Sequence, residues 1–135
     1  MATIDFRAGL AGILFWGATA YTLNRTVPMT AEGAAGTSVL NALYIGMVPT
    51  AIATYEIFVR LSGASPDDVD GLRATVVGLA TATVFEGLTF SLSPQVYGNS
   101  PQEIRTAGGI LLWGIGIFCA TAAWRTRNAL LQYGK

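Results

Sequence analysis

Glu86 is the residue whose type and position most require a chemical explanation, because it lies inside an apolar stretch that begins near Ala74. At about 1.5 Å per residue, it lies about 18 Å along a helix that starts there. A carboxylate held away from water costs several kcal/mol unless it is protonated, paired or hydrated. Two interpretations follow: Glu86 couples a proton or a cation, or it is a protonated or hydrogen-bonded tie between helices.

Small and polar residues share the helical face of Glu86, including Gly78, Ala82 and Thr89. Small residues allow neighbouring helices to approach closely, so we expect Glu86 to point into a bundle rather than toward lipid. The aromatic residues at similar depth either line a cavity or simply fill the core, which is their commoner use. The predicted polar site comprises Glu86, Asn41, Tyr44, Trp113, Thr19 and Trp16.

A second acid, Glu56, lies near the end of an apolar stretch and therefore has a different predicted role. Arg60 follows it by one helical turn, in the order that favours an i,i+4 ion pair. Long charged side chains near helix ends extend toward the membrane surface. We therefore predict a structural ion pair between Glu56 and Arg60, too far from Glu86 to share a ligand with it.

The residues that most enzymes and metalloproteins use are scarce. The sequence has no histidine, one cysteine (Cys119), and a single lysine, Lys135. Serine–histidine and cysteine–histidine catalysis and histidine-ligated zinc or haem are excluded, and the Gly-rich phosphate loop is absent. We therefore predict that the protein is not an enzyme and binds neither metal nor cofactor. Eight basic and eight acidic residues cancel, which gives no indication of nucleic-acid binding.

The composition indicates a membrane protein. Hydrophobic residues make up 52% of the chain and charged residues only 12%, about half the roughly 25% usual in soluble domains. A soluble four-helix bundle would instead carry a charged stripe along each helix. The sequence predicts an all-α protein, one domain over residues 1–135, with four transmembrane helices in an up-down bundle near residues 6–23, 38–59, 74–92 and 107–124.

The basic residues predict the orientation in the membrane. Only Arg25 and Arg105 lie on one side of the four predicted spans. Because cytoplasmic loops carry the excess of lysine and arginine, both termini and the middle loop are expected in the cytoplasm. The residues on that side are Arg7, Arg60, Arg73, Arg125, Arg127 and Lys135.

Two Ser-Pro sequences predict helix starts. Ser65 and Ser100 are each followed by proline and then by acidic residues, the pattern of an N-cap serine with proline at the first helical position. We therefore expect the third and fourth helices to begin at these serines, before the apolar segments begin.

Small residues recur at the four-residue spacing of close helix contacts. Ala8 and Gly12 form one such pair in the first helix, and Gly116 and Ala120 form another in the last. These pairs fit internal packing, a homo-oligomer or a larger membrane-protein partner. A weak parallel repeat between residues 9–17 and 78–87 would place Trp16 at the depth of Glu86.

The segment from Ala107 to Gly116, Ala-Gly-Gly-Ile-Leu-Leu-Trp-Gly-Ile-Gly, resembles the last-helix signature of a family of small bacterial four-helix integral membrane proteins of unknown function. That family carries an acid on its third helix, usually aspartate, where this chain has Glu86. A loop with proline and an aromatic residue follows, comparable to Pro94 and Tyr97. The resemblance covers mainly residues 80–120 and implies a four-helix topology without implying an activity.

Two functions fit these observations. The first is an accessory or interaction subunit that contacts membrane partners through its small-residue faces, which we favour on sequence alone. The alternative is a homo-oligomeric transporter of a small molecule, coupled to protons or cations through Glu86. It resembles small multidrug exporters in size, helix number and single buried carboxylate, although those carry the acid on their first helix.

Overall fold

The computed structural model describes residues 2–31 and 33–133, and these residues form an all-helical bundle. Two 3-10 segments, Val27–Ala31 and Pro94–Val96, lie in the connections on one end of the bundle. Each of the four long helices contains one of the predicted apolar segments and extends beyond it at one or both ends. These helices are α1 (Ala2–Thr26), α2 (Gly33–Leu61), α3 (Val69–Leu92) and α4 (Pro101–Tyr133).

Within the described part of the chain, three stretches are long and apolar enough to cross a membrane, namely Ala35–Leu61, Val69–Leu92 and Pro101–Gln132. The lipid bilayer is thus the environment that these helices fit. At 25 residues, α1 also has the length of a span, but it is not among these three apolar stretches. A crossing by α1 therefore stays a prediction.

Contacts between helix ends show that successive helices run in opposite directions. The start of α1 meets the start of α3, where Arg73 Nη2 lies 2.6 Å from Asp5 Oδ2. The end of α2 meets the last third of α4, where Arg125 Nη1 lies 2.6 Å from Glu56 Oε1. We name this end of the bundle, with Asp5, Glu56, Arg73 and Arg125, the arginine end. The opposite end, with Tyr97, is the Tyr97 end.

Small residues bring α1 and α3 into backbone contact. A Cβ atom added to Gly12 would overlap the carbonyl oxygen of Gly78, and one added to Gly78 would overlap the ring of Phe58 and approach the Ala8 carbonyl oxygen. Ala8 and Ala74 are fully buried nearby. The predicted Ala8–Gly12 face is therefore used inside the bundle.

A second glycine-containing face joins α2 and α4, and here large side chains fill the space above the glycines. The Tyr44 hydroxyl lies over Gly109, and the Met47 side chain lies over Gly114. In contrast, a Cβ atom added to Gly116 would meet no other described atom within 4 Å. One face of α4 therefore packs inside the bundle, and another is left uncovered.

Buried side chains form one cluster toward each end of the bundle. Toward the arginine end, Phe58 contacts Phe15 and Phe118 edge-to-face, with ring centroids 5.7 and 5.6 Å apart, and Tyr55 contacts Phe118 in the same way. Such arrangements add roughly 0.5–1.5 kcal/mol per pair beyond the burial of their area. The other cluster contains Ala20, Leu23, Val27, Tyr97, Ala107, Ile110 and Leu111.

The α2–α3 connection is a helix end stabilised by glycine. Gly63 has a φ of +80°, which an L side chain rarely adopts. Its N–H donates to the carbonyl of Arg60, and the Ala64 N–H donates to the carbonyl of Val59. This is the Schellman pattern of hydrogen bonds, and it turns the chain toward α3.

The two predicted helix starts differ in outcome. Ser100 does cap α4, because its Oγ accepts a hydrogen bond from the Glu103 N–H at 3.2 Å. The prediction that Ser65 caps α3 is wrong. Residues 65–68 form a turn instead, α3 begins at Val69, and Asp68 is the N-cap, with Oδ1 accepting from the Val69 N–H at 2.6 Å.

Candidate functional site

A cavity of about 340 Å³ lies between the helices, bounded by residues of all four. Its volume is at the lower end of the range for small-molecule sites, which begins at roughly 300 Å³. Phe15, Phe58 and Phe118 line it toward the arginine end, and Leu23 and Ile110 line it toward the Tyr97 end. The cavity thus lies between the two buried clusters.

Glu86 is the one charged residue on the cavity wall among the described residues. Its position on α3 is fixed by the close contact of α3 with α1, because Gly78, two turns earlier, lies against Gly12. Only 9% of the Glu86 surface is exposed. The predicted inward orientation of Glu86 is therefore present in the structure.

Tyr97 provides the hydrogen bond to this carboxylate. Its hydroxyl donates to Glu86 Oε2 at 2.5 Å, and the same hydroxyl accepts a hydrogen bond from Trp16 Nε1 at 3.2 Å. The three side chains form a chain of hydrogen bonds from α1 through the α3–α4 connection to α3. Burial raises the pKa of the Tyr97 phenol above its ordinary value of 10.0, and the hydrogen bond to Glu86 raises it further. The phenol therefore keeps its proton at physiological pH.

The connection after α3 folds back onto the bundle and so places Tyr97 beside Glu86. The Tyr97 ring stacks on Phe90 with a centroid distance of 4.2 Å and an interplanar angle of 13°, and Tyr97 is fully buried. Asn24 Nδ2 donates to the Val96 carbonyl oxygen at 2.9 Å, which attaches the connection to the end of α1.

The structure brings together only part of the site predicted from the sequence. Trp16 and Thr19 line the same cavity as Glu86, and the Trp16 ring lies 5.3 Å from that of Phe85, at the depth the weak repeat indicates. Asn41 is an exposed residue of α2 and does not line this cavity.

Tyr44 and Trp113 lie on a different surface. Trp113 Nε1 donates to the Tyr44 carbonyl oxygen at 3.1 Å, and the two rings lie 6.4 Å apart. With Ile45, Val48 and Pro49 they line a shallow apolar hollow outside the bundle. They lie at a similar depth along the bundle to Glu86 but face away from it. Depth along the bundle does not determine which face of its helix a residue occupies.

Tyr97 is the member of the site that the depth argument missed. Depth can be compared only within the apolar segments, and Tyr97 follows the third of them. The family resemblance alone indicates Tyr97, through its position after the proline of the connection. A buried carboxylate requires a hydrogen-bond donor, and a tyrosine in the short connection after α3 is the signal for one in the sequence.

Comparison with protein-family models, with curated proteins and with solved structures found no match. The family resemblance therefore stays an expectation, and the geometry of the cavity carries the functional argument.

The predicted ion pair is part of a larger network at the arginine end. Arg60 Nη2 lies 2.9 Å from Glu56 Oε2, and Arg125 bridges Glu56 to Asp67 of the α2–α3 connection. The bridge to Asp67 is bidentate, with Nε to Oδ1 at 2.7 Å and Nη2 to Oδ2 at 3.1 Å. This geometry suits arginine and ties α2, the connection and α4 together.

The Asp67–Arg125 contact predicts a pH dependence of stability. Its hydrogen bond from Arg125 holds the pKa of Asp67 below the ordinary value of 3.8. A carboxyl whose pKa is lower when folded stabilises the protein above its unfolded pKa and loses that effect as the pH falls through the folded value. We therefore expect Asp67→Asn to reduce the loss of stability below pH 3.8, measured by denaturant unfolding across the acid range. If Asp67→Asn has the same effect in an Arg125→Gln background, the contact is not the cause.

Proposed function

We propose that this chain is a multi-pass membrane protein that binds a small apolar organic cation in the cavity beside Glu86, in exchange for a proton on that carboxyl group. The proposal rests on one observation. Among the described residues, Glu86 is the one charged residue on a cavity wall that otherwise consists of apolar and hydroxyl-bearing side chains. A carboxylate in such a place needs a proton or a cationic partner, and no arginine or lysine of the described residues lines the cavity.

The remaining walls suit the apolar part of such a ligand. Phe15, Trp16, Phe58 and Phe118 provide aromatic surface, which attracts cations as well as apolar groups. Loading the cation releases the proton and leaves the charge of the site unchanged. We propose that this exchange couples transport of the cation to the proton gradient, in a bacterial inner membrane with four crossings and both termini in the cytoplasm.

The test is calorimetric titration of the full chain in lipid nanodiscs with 2-phenylethylammonium, with empty nanodiscs as the blank for partitioning into lipid. We expect binding to weaken as the pH is lowered, because protons compete for Glu86. Glu86→Gln should weaken binding by about thirtyfold or more, the equivalent of about 2 kcal/mol for the loss of a buried charge partner. The pH dependence should disappear with it.

Glu103→Gln is the matched control, because Glu103 is an acid outside the cavity and glutamine keeps the oxygen that accepts from the Asn99 N–H. It should bind like the original protein. Binding to Glu86→Gln at the original affinity, or no binding to the original protein at all, would contradict the proposal.

A second candidate function is an accessory subunit, favoured by the uncovered face of α4. Gly116 has open space beside it, and Ala120 is exposed on the same face. The corresponding face of α1 is already filled by α3, which removes half of the support that the sequence offered for this function. For this reason we place the cavity first.

A further inference from the structure

The threonines of the cavity wall point to a narrower class of ligand. Three of them, Thr19, Thr22 and Thr26, follow one another along one face of α1, and Thr50 lines the cavity from α2. The three threonines of α1 are three or four residues apart, so their side chains are neighbours on the helix. Together with Glu86 they supply oxygen atoms to a mainly apolar cavity wall.

The hydroxyl protons of these four threonines are already used. Each donates to the carbonyl oxygen four residues earlier in its own helix: Thr19 to Phe15 at 2.8 Å, Thr22 to Ala18 at 2.8 Å, Thr26 to Thr22 at 2.9 Å and Thr50 to Gly46 at 2.8 Å. A hydroxyl has one proton and two lone pairs, so each oxygen can now only accept a hydrogen bond from a ligand.

The other donors on the wall are few. The Trp16 indole N–H is used by Tyr97. Thr54 and Thr83 also line the cavity and make no side-chain hydrogen bond to another described residue, so either could donate or accept. A ligand with N–H donors therefore finds more hydrogen-bond acceptors on this wall than a ligand with only acceptors finds donors.

We infer that the preferred ligand is a primary or secondary ammonium with an apolar body, recognised through its N–H groups by Glu86 and the α1 threonines. This inference rests on the proposed function and narrows its ligand class. A quaternary ammonium has the same charge but no N–H, so it cannot donate a hydrogen bond to the threonine oxygens that line the cavity. An anionic or acceptor-only ligand finds no complementary charge on this wall.

The experiment compares 2-phenylethylammonium with its N,N,N-trimethyl analogue, by calorimetry of the full chain in nanodiscs at a pH where the amine is fully protonated. We expect the primary ammonium to bind at least about tenfold more tightly, the size of effect typical of hydrogen bonds to a charged group. Because methylation also enlarges the headgroup, a variant must separate size from hydrogen bonding.

The double variant Thr19→Val/Thr22→Val provides that separation, because valine keeps the shape of threonine without its oxygen. It should lower the preference for the primary ammonium to about threefold or less, through weaker binding of the primary ammonium. Thr121→Val is the matched control, since Thr121 makes the same kind of bond, to the Ile117 carbonyl oxygen, away from the cavity. It should keep the full preference.

The outcomes distinguish the two proposals. Equal binding of the two ammonium compounds to the original protein, with loss of both in Glu86→Gln, would overturn recognition through N–H groups and leave the proposed function standing. A preference that survives in the double valine variant would also overturn it. Failure of both compounds to bind the original protein would overturn the proposed function itself.

Discussion

Replacing Gly12 by alanine is expected to lower the free energy of unfolding by about 2 kcal/mol, within the range of overpacking a well-filled interior. The added methyl group would overlap the carbonyl oxygen of Gly78. Backbone atoms cannot rotate away as a side chain does, so α1 and α3 must separate. That separation would also loosen the contacts of Ala8 and Ala74, which are fully buried at the same interface.

Gly17→Ala is the matched control on the same helix, because a Cβ atom there meets nothing within 4 Å. Alanine has the higher helix propensity, so this variant should gain up to about 1 kcal/mol. Unfolding by denaturing detergent, followed by circular dichroism, measures both. Equal stability of the two variants would show that α1 and α3 are not in backbone contact.

Removal of the Tyr97 hydroxyl is expected to have the second large effect. Tyr97→Phe leaves Glu86 Oε2 without its donor and Trp16 Nε1 without its acceptor, while the ring can keep its stacking on Phe90. An unsatisfied buried polar group costs about 1–3 kcal/mol, and more when it is charged. We expect a loss of about 2 kcal/mol in the free energy of unfolding, together with a shift in the fluorescence of Trp16.

Tyr21→Phe is the control for this change, because the Tyr21 side chain is exposed and its ring contact with Arg25 does not involve the hydroxyl. It should be neutral. A double-mutant cycle between Tyr97→Phe and Glu86→Gln should show a coupling of about 1 kcal/mol, the typical net value of a hydrogen bond. If the two changes simply add, the Tyr97–Glu86 hydrogen bond does not contribute to stability.

The helices were predictable from the sequence because long apolar segments separated by proline and glycine specify them directly. Their ends were harder, and the two serines show why. Ser65 and Ser100 precede the same local pattern, yet only Ser100 caps a helix. At Ser65 the turn after Gly63 and the bond from Arg125 to Asp67 hold residues 65–68 out of the helix. Those contacts come from elsewhere in the chain.

The candidate site was predictable only in part, for a related reason. Small and polar residues spaced three or four apart along α3 placed Glu86 on the inward face of the helix. That spacing is a property of the local sequence. Its hydrogen-bond donor depends on how the chain folds back after Leu92, which no periodicity encodes. Depth alone grouped Trp16 with Tyr44 and Trp113, although the last two lie on an outer surface.

The close pairing of α1 with α3 has a consequence for how the chain is made. The α1 helix is synthesised before α3, and it finds its partner only after residues 69–92 have been synthesised. Until then Asp5 has no Arg73 and the small-residue face of α1 has no cover. The contacts that hold α1 in the bundle therefore form only after two further helices of the chain have been synthesised.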